Sequence, residues 1–101
     1  MANSIAELKK LIEKRNSIIN DFNKKLEAAN KTFEENGNGL IADVIDEKTL
    51  TVAIEIVWGD WKHDHAYADY VMKQNGFTKI YEEVTEEDGS DCASSIHYYH
   101  L

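Results

Sequence analysis

A proline-free segment, residues 4–36, constrains the fold more than any other feature of the sequence. Apolar residues recur in it with heptad spacing, interrupted once by Arg15, at Ile5, Leu8, Ile12, Ile19, Phe22, Leu26, Ala29 and Phe33. This spacing predicts one long helix with an apolar stripe. Ser4 and Glu7 form a capping box at its predicted start, and Gly37 suits a left-handed cap at its end.

The length of this helix bears on assembly. At ~1.5 Å per residue it is ~48 Å long, whereas a typical strand spans only ~20 Å. We therefore expect the helix to extend beyond its own domain and to form a homodimer through its apolar stripe. The alternative is that the stripe packs on the chain's own sheet. The residues expected at the dimer interface are Ile5, Leu8, Ile12, Ile19, Phe22, Leu26 and Phe33.

The remainder of the chain predicts a ββαββ unit. The pattern places strands at 40–45 and 49–58 around a turn at 46–48, a helix at 61–75, and strands at 77–84 and 93–101. In the second strand, apolar residues alternate with more polar ones, so one face is expected to be buried and the other solvated. The sequence predicts an α+β fold with one antiparallel four-stranded sheet, in a single domain of residues 1–101.

The stretch WGDWKHDHAYADY invites a metal interpretation. As a helix with Asp60 at the N-cap, it places Trp61, His65, Ala68 and Met72 toward the sheet and His63 in water. His65 is then a buried histidine bonded to a neighbour such as Asp69. A metal or ligand site would instead recruit His65, His97 and Cys92, with His63, Asp64 and His100 as further candidates. Their spacing matches no zinc motif, so the main prediction is that there is no metal and no cofactor.

Catalysis has no sequence signature here. The chain contains no glycine-rich phosphate loop, no G-x-S-x-G and no H-E-x-x-H. Five residues separate Cys92 from His97, which places them on opposite faces of one strand. We therefore predict a protein that is not an enzyme.

The net charge of −8 is unevenly distributed. Residues 1–39 carry seven basic and six acidic residues, whereas residues 40–101 carry four basic and thirteen acidic ones. An acidic half disfavours direct nucleic-acid binding and favours a basic protein partner. The expected contact surface consists of Asp43, Glu55, Glu82, Glu83, Glu86, Glu87, Asp88 and Asp91.

The sequence shows no signal-peptide pattern, no apolar run long enough to span a bilayer, and a single cysteine, which together predict a cytoplasmic protein. In its size, acidity and lack of a catalytic signature, the chain resembles phage-encoded inhibitors such as anti-CRISPR proteins, many of which occupy basic nucleic-acid channels. That resemblance implies a nucleic-acid mimic. The alternatives are a small metal- or ligand-binding protein built on His65, His97 and Cys92, or a purely structural phage or mobile-element accessory protein.

Overall fold

The computed structural model describes residues 2–37, 39–60, 64–87 and 92–101, without the side chains of residues 2, 3, 58–60, 87 and 92. The elements follow the order α1 (Ala2–Asn36), β1 (Ala42–Asp46), β2 (Thr51–Asp60), α2 (Ala66–Gln74), β3 (Thr78–Glu87) and β4 (Cys92–His100). The strands form one antiparallel sheet in the order β1-β2-β4-β3. The predicted α+β fold is therefore confirmed.

Both helices end where their glycines predict. Gly37 has a φ of 65°, and its N–H donates to the carbonyl of Phe33 at 3.2 Å. Gly76 has a φ of 86°, and the N–H of Phe77 reaches back to the carbonyl of Met72 at 2.9 Å, which closes a Schellman motif. A residue with a Cβ would be strained at either glycine, because both lie in the left-handed region.

The helix starts differ from the predictions. Helix α1 begins at Ala2, so Ser4 lies inside its first turn instead of capping it, because Ala2 itself takes up helical backbone. Strand β2 continues past a bulge to Asp60, which pairs with Cys92, so Asp60 is not the cap of α2. Helix α2 begins only at Ala66. The predicted positions of Trp61 and His63 lie outside the described residues.

The two helices cover one face of the sheet, which we call the inner face. The second half of α1 contributes Phe22 and Phe33, whose rings lie 5.8 Å from Phe77 and 6.1 Å from Tyr67 between centroids. The side chain of Asn30 bonds both the N–H and the carbonyl of Ala42, at 2.8 and 3.0 Å, and so fixes α1 against the start of β1. The buried inner face includes Ala42, Val52, Ile54, Ile56, His97 and Tyr99.

The first half of α1 extends beyond this core. Its described side chains from Ser4 to Ile18 are all exposed. Arg15 donates from Nη2 to the carbonyls of Glu47 and Lys48 in the β1–β2 turn, at 3.2 and 3.1 Å. The molecule is 64 Å along its longest axis and 26 Å along the next. The helix therefore extends past its own sheet, and the apolar residues exposed on that part are Ile5, Leu8, Leu11, Ile12 and Ile18.

Candidate functional site

A cluster of polar side chains lies between α2 and the inner face of the sheet. Three of its members, Ser95, His97 and Tyr99, occur at every second residue of β4, so they share the buried face. Helix α2 contributes Asp69, and His65 comes one turn earlier in the chain. His97 is fully buried, whereas His65 is 4% exposed. We call this group, together with Glu82 and Lys79 of β3, the histidine cluster.

Asp69 accepts hydrogen bonds from three neighbours in this cluster. His97 Nδ1 lies 2.9 Å from Asp69 Oδ1, the hydroxyl of Tyr99 donates to the same oxygen at 2.5 Å, and Lys79 Nζ donates to Oδ2 at 3.1 Å. Burial alone would raise the pKa of Asp69, but these hydrogen bonds outweigh it and lower the pKa to about 2. Burial and the bond to Asp69 raise the pKa of Tyr99. Asp69 is therefore ionised, and it orients the His97 ring.

Ser95 connects the two imidazole rings. Its Oγ lies 3.0 Å from His97 Nε2 and 3.1 Å from His65 Nδ1. A hydroxyl carries one proton, so Ser95 donates to only one of these nitrogens and accepts from the other. The rings meet edge to face, with centroids 5.2 Å apart. Nε2 of His65 is buried and has no hydrogen-bond partner within the described part of the chain.

Glu82 closes the cluster from the neighbouring strand. It is the registered partner of His97 across β3 and β4, and its Oε1 lies 3.1 Å from His97 Nε2. Lys79 contacts the same oxygen at 2.5 Å. The hydrogen bond from Lys79 outweighs burial and lowers the pKa of Glu82. Burial opposes the charge on Lys79, but its bonds to Glu82 and Asp69 prevail and raise its pKa.

The connectivity Ser95–His97–Asp69 is that of a hydrolase triad, but its surroundings are not. Ser95 is 1% exposed, so a substrate carbonyl has no path to its hydroxyl. Asp69 also accepts from Tyr99 and Lys79, which fixes the group inside the fold. The geometry does not support nucleophilic catalysis by this serine.

Several residues that the sequence analysis named lie in or beside this cluster, so their predicted positions can be compared with the structure. His65, Ala68 and Met72 face the core as predicted. The partner expected for His65 was wrong, because His65 bonds Ser95 while Asp69, one turn further along, bonds His97. The structure brings His65 and His97 together, as the metal or ligand alternative requires.

Cys92 opens β4, five residues before His97, which places the two backbones ~16 Å apart along the strand. Among the described residues, the third possible metal ligand beside His65 and His97 is Glu82, whereas the sequence interpretation named Cys92 in this role. His100 is exposed on the opposite face of β4 from His97, and the prediction for His63 lies outside the described residues.

The other face of the sheet is covered by neither helix, and we call it the open sheet face. Asp43, Glu55, Glu83 and Glu86 project from it and are exposed. The rings of Tyr81 and Tyr98 pack there with centroids 5.8 Å apart, and the Tyr98 hydroxyl donates to Glu83 at 3.3 Å. Within the described strands, Lys79 is the only lysine or arginine, and it points to the inner face. The open sheet face therefore combines four carboxylates with aromatic and apolar side chains, namely Tyr81, Tyr98, Val57 and Ile96.

The predicted acidic surface is divided by this arrangement. Asp43, Glu55, Glu83 and Glu86 share the open sheet face. Glu82 does not belong with them, because consecutive strand residues alternate between faces and Glu82 points into the histidine cluster. The side chain of Glu87, and both Asp88 and Asp91, lie outside the described side chains and residues.

The chain matches no protein-family model, no curated protein and no solved structure. None of the helices in the described part of the chain combines the length and apolarity that a bilayer crossing demands.

Proposed function

We propose that this chain is a non-catalytic binding protein whose open sheet face engages a basic protein surface. The observation that carries the proposal is the composition of that face: within the described strands it has four exposed carboxylates, no lysine or arginine, and a packed pair of tyrosines. Tyrosine suits a protein interface because it offers a large contact area with a polar tip. Carboxylates around it select partners of opposite charge and accelerate encounter with them.

The partner class that we favour is a nucleic-acid-binding protein. Its binding groove already accommodates regularly arranged negative charge, so an acidic surface competes there with the phosphate backbone. In register, Glu55 and Glu83 lie on either side of Ile96, which places their backbones ~10 Å apart across two strand spacings. The chain would then act as an inhibitor that mimics nucleic acid, of the anti-CRISPR type, in the cytoplasm of a phage host.

We further propose that the exposed half of α1 pairs with α1 of a second copy. The heptad spacing continues through Ile5, Leu8 and Ile12, which no side chain in the described part of the chain covers, with Ile5 64% exposed. Seven basic and six acidic residues leave residues 1–39 nearly neutral, so two copies of this segment repel each other little. Phe22 and Phe33 are buried in the chain's own core, and Ile19 and Leu26 are partly buried against it. The pairing would therefore use the N-terminal half of the predicted stripe.

Charge reversal tests the binding surface. We expect the triple variant Glu55→Lys, Glu83→Lys, Glu86→Lys to lose binding to a panel of purified nucleic-acid-binding proteins with basic grooves. Wild-type chain should bind at least one member, and a short DNA duplex should compete with it. Calorimetry at low and at moderate salt gives the affinity. The expected loss is on the order of 100-fold or more, since each reversed charge faces a basic surface.

The matched control reverses the same number of charges elsewhere. Glu13, Glu27 and Glu34 are exposed on α1, one residue after the stripe positions, so their reversal to Lys alters the net charge equally and leaves the open sheet face intact. This control should keep most of the wild-type affinity. Equal losses in both triple variants would show that only the net charge matters. A dimer that binds no basic protein would favour the purely structural role.

A further inference from the structure

We propose that His65, His97 and Glu82 form a binding site for a divalent transition-metal ion, with Zn²⁺ as the ion that this donor set suits best. A ring nitrogen from each histidine and a carboxylate oxygen of Glu82 lie within 4.8 Å of one another. Two imidazoles and one carboxylate are a common set of protein ligands for zinc. The inference is independent of the partner-binding role assigned to the open sheet face.

The spacing of the donors is close to what a metal requires. Tetrahedral zinc with bonds of ~2.1 Å holds its ligand atoms about 3.4 Å apart. His97 Nε2 and Glu82 Oε1 are already 3.1 Å apart, so this pair needs almost no movement. His65, the residue immediately before α2, completes the set, and its ring nitrogen lies within 4.8 Å of the other two donor atoms, so it moves closer to them when a metal binds.

A buried nitrogen of His65, unpaired in the described structure, is the second observation in favour of a bound metal ion. Nε2 of His65 has no hydrogen-bond partner within the described residues although the side chain is almost fully buried. An unsatisfied buried polar atom of this kind destabilises a fold. Coordination of a metal ion by this nitrogen would use its lone pair and remove the deficit.

His97 is supported in the manner of a metal ligand. Asp69 binds its Nδ1 at 2.9 Å, which leaves Nε2 directed toward Glu82. A carboxylate behind a histidine in this way fixes the ring and raises its basicity as a ligand. Ser95 contacts rings of both histidines and restricts their rotation.

A metal ion can enter the cluster at Glu82, where it would compete with Lys79 for the carboxylate oxygen. The side chain of Glu82 is 31% exposed, so the cluster opens to solvent on that side. Lys79 now holds the Glu82 oxygen at 2.5 Å, and a metal ion would displace it. Lys79 also binds Asp69 at 3.1 Å, so it keeps a partner after that displacement.

The test is a titration of the chelator-treated chain, residues 1–101, with Zn²⁺ by calorimetry, and with Co²⁺ by visible absorption. We expect one ion per chain, a tetrahedral Co²⁺ spectrum, and a melting temperature that rises until one equivalent is bound. Glu82→Gln should weaken Zn²⁺ binding by about 10-fold or more. Lys79→Met should strengthen binding several-fold, since it removes a competing cation.

Matched variants separate this site from adventitious binding. Glu83→Gln alters the neighbouring carboxylate on the open sheet face, and His100→Gln alters the exposed histidine of the same strand. Both should bind Zn²⁺ as wild type does. His65→Gln tests the third ligand, and its melting curve without metal verifies that it folds. The proposal is overturned if wild type binds neither ion, or if Glu82→Gln and Glu83→Gln weaken binding equally.

Discussion

At the scale of single residues, the histidine cluster places several polar groups where an apolar core is expected. Ser95, His97 and Tyr99 all lie on the buried side of β4. Such groups are tolerated inside a protein when they are hydrogen-bonded. Asp69 supplies much of that compensation, and because its oxygens accept three bonds it carries charge into a half-buried site.

The low pKa of Asp69 makes stability depend on acid pH. Its ordinary value of 3.8 falls to about 2 in the fold, so the unfolded chain binds a proton more readily between these values. The stabilisation is therefore complete above about pH 4–5 and is lost as pH falls toward 2. We expect Asp69→Asn to lower stability at pH 7, and its melting temperature to converge with that of wild type near pH 2.

Thermal unfolding from pH 7 to pH 2 measures this effect. The control is Asp43→Asn, which neutralises an exposed carboxylate of the open sheet face and should keep the wild-type dependence. Glu82 contributes in the same direction, because its pKa is also lowered in the fold. An unchanged acid dependence in Asp69→Asn would mean that Asp69 does not determine it.

At the scale of elements, the two halves of α1 lie in different environments. After Arg15 it packs on α2 and β1, whereas before Arg15 its apolar side chains are exposed in the described structure. Helix propensity alone stabilises a solvent-exposed helix of this length only slightly. Packing of its apolar face against a partner would stabilise it further.

Dimer formation is tested by changing two exposed residues of the stripe. We expect wild-type chain to be a dimer, and Leu8→Lys with Ile12→Lys to weaken association on the order of 100-fold or more, because each copy loses two buried side chains. Sedimentation equilibrium measures the change. Glu7→Ala with Lys10→Ala, on the other side of the helix and without a change in net charge, is the control. A monomeric wild type at high micromolar concentration would contradict the dimer.

The periodicity of the sequence predicted the elements better than their ends. Heptad spacing identified α1, and alternation identified β2, because burial of one face repeats at the period of each structure. The pattern could not show that Leu50 adopts a φ of 54° in the turn, since no local rule favours that conformation for leucine. Nor could it place the bulge after Ile56 that extends β2 to Asp60.

The histidine cluster was only partly predictable. The alternation S-x-H-x-Y in β4 shows that three polar side chains share a face, which is a readable signal. That Glu82 lies opposite His97 follows from the pairing register of β3 and β4, and that register includes two irregularities between residues 79 and 86. Cys92 was grouped with the histidines by chemistry alone, and distance along the strand separates it.

At the scale of the whole molecule, the helices cover one face of the sheet and the unpaired negative charge of the described strands lies on the other. The helices and nearly all buried apolar side chains are on the inner face, and the unbalanced carboxylates are on the open sheet face. Like charges on one surface repel one another, so they do not stabilise the fold. A surface of this kind is better explained by a partner than by stability.

Neutralising the open sheet face should therefore not destabilise the protein. We expect Glu55→Gln, Glu83→Gln and Glu86→Gln together to change the free energy of unfolding by no more than about 0.5 kcal/mol, or to raise it. Urea denaturation measures the change, and added salt should raise the stability of wild type more than that of the triple variant, because salt screens the same repulsion. A loss above about 1 kcal/mol would show that these carboxylates have a structural role instead.

The strand order has a consequence for how the chain folds as it is synthesised. β4 lies between β2 and β3, so the β1–β2 hairpin and β3 share no ladder until the segment 92–100 has been translated. Until then, the hairpin and β3 each expose a strand edge that is open to pairing with other nascent chains. Insertion of β4 protects both edges at once and brings Ser95, His97 and Tyr99 under α2 in the same step. Chaperone dependence and aggregation during expression should therefore respond most strongly to substitutions that slow the docking of this one strand.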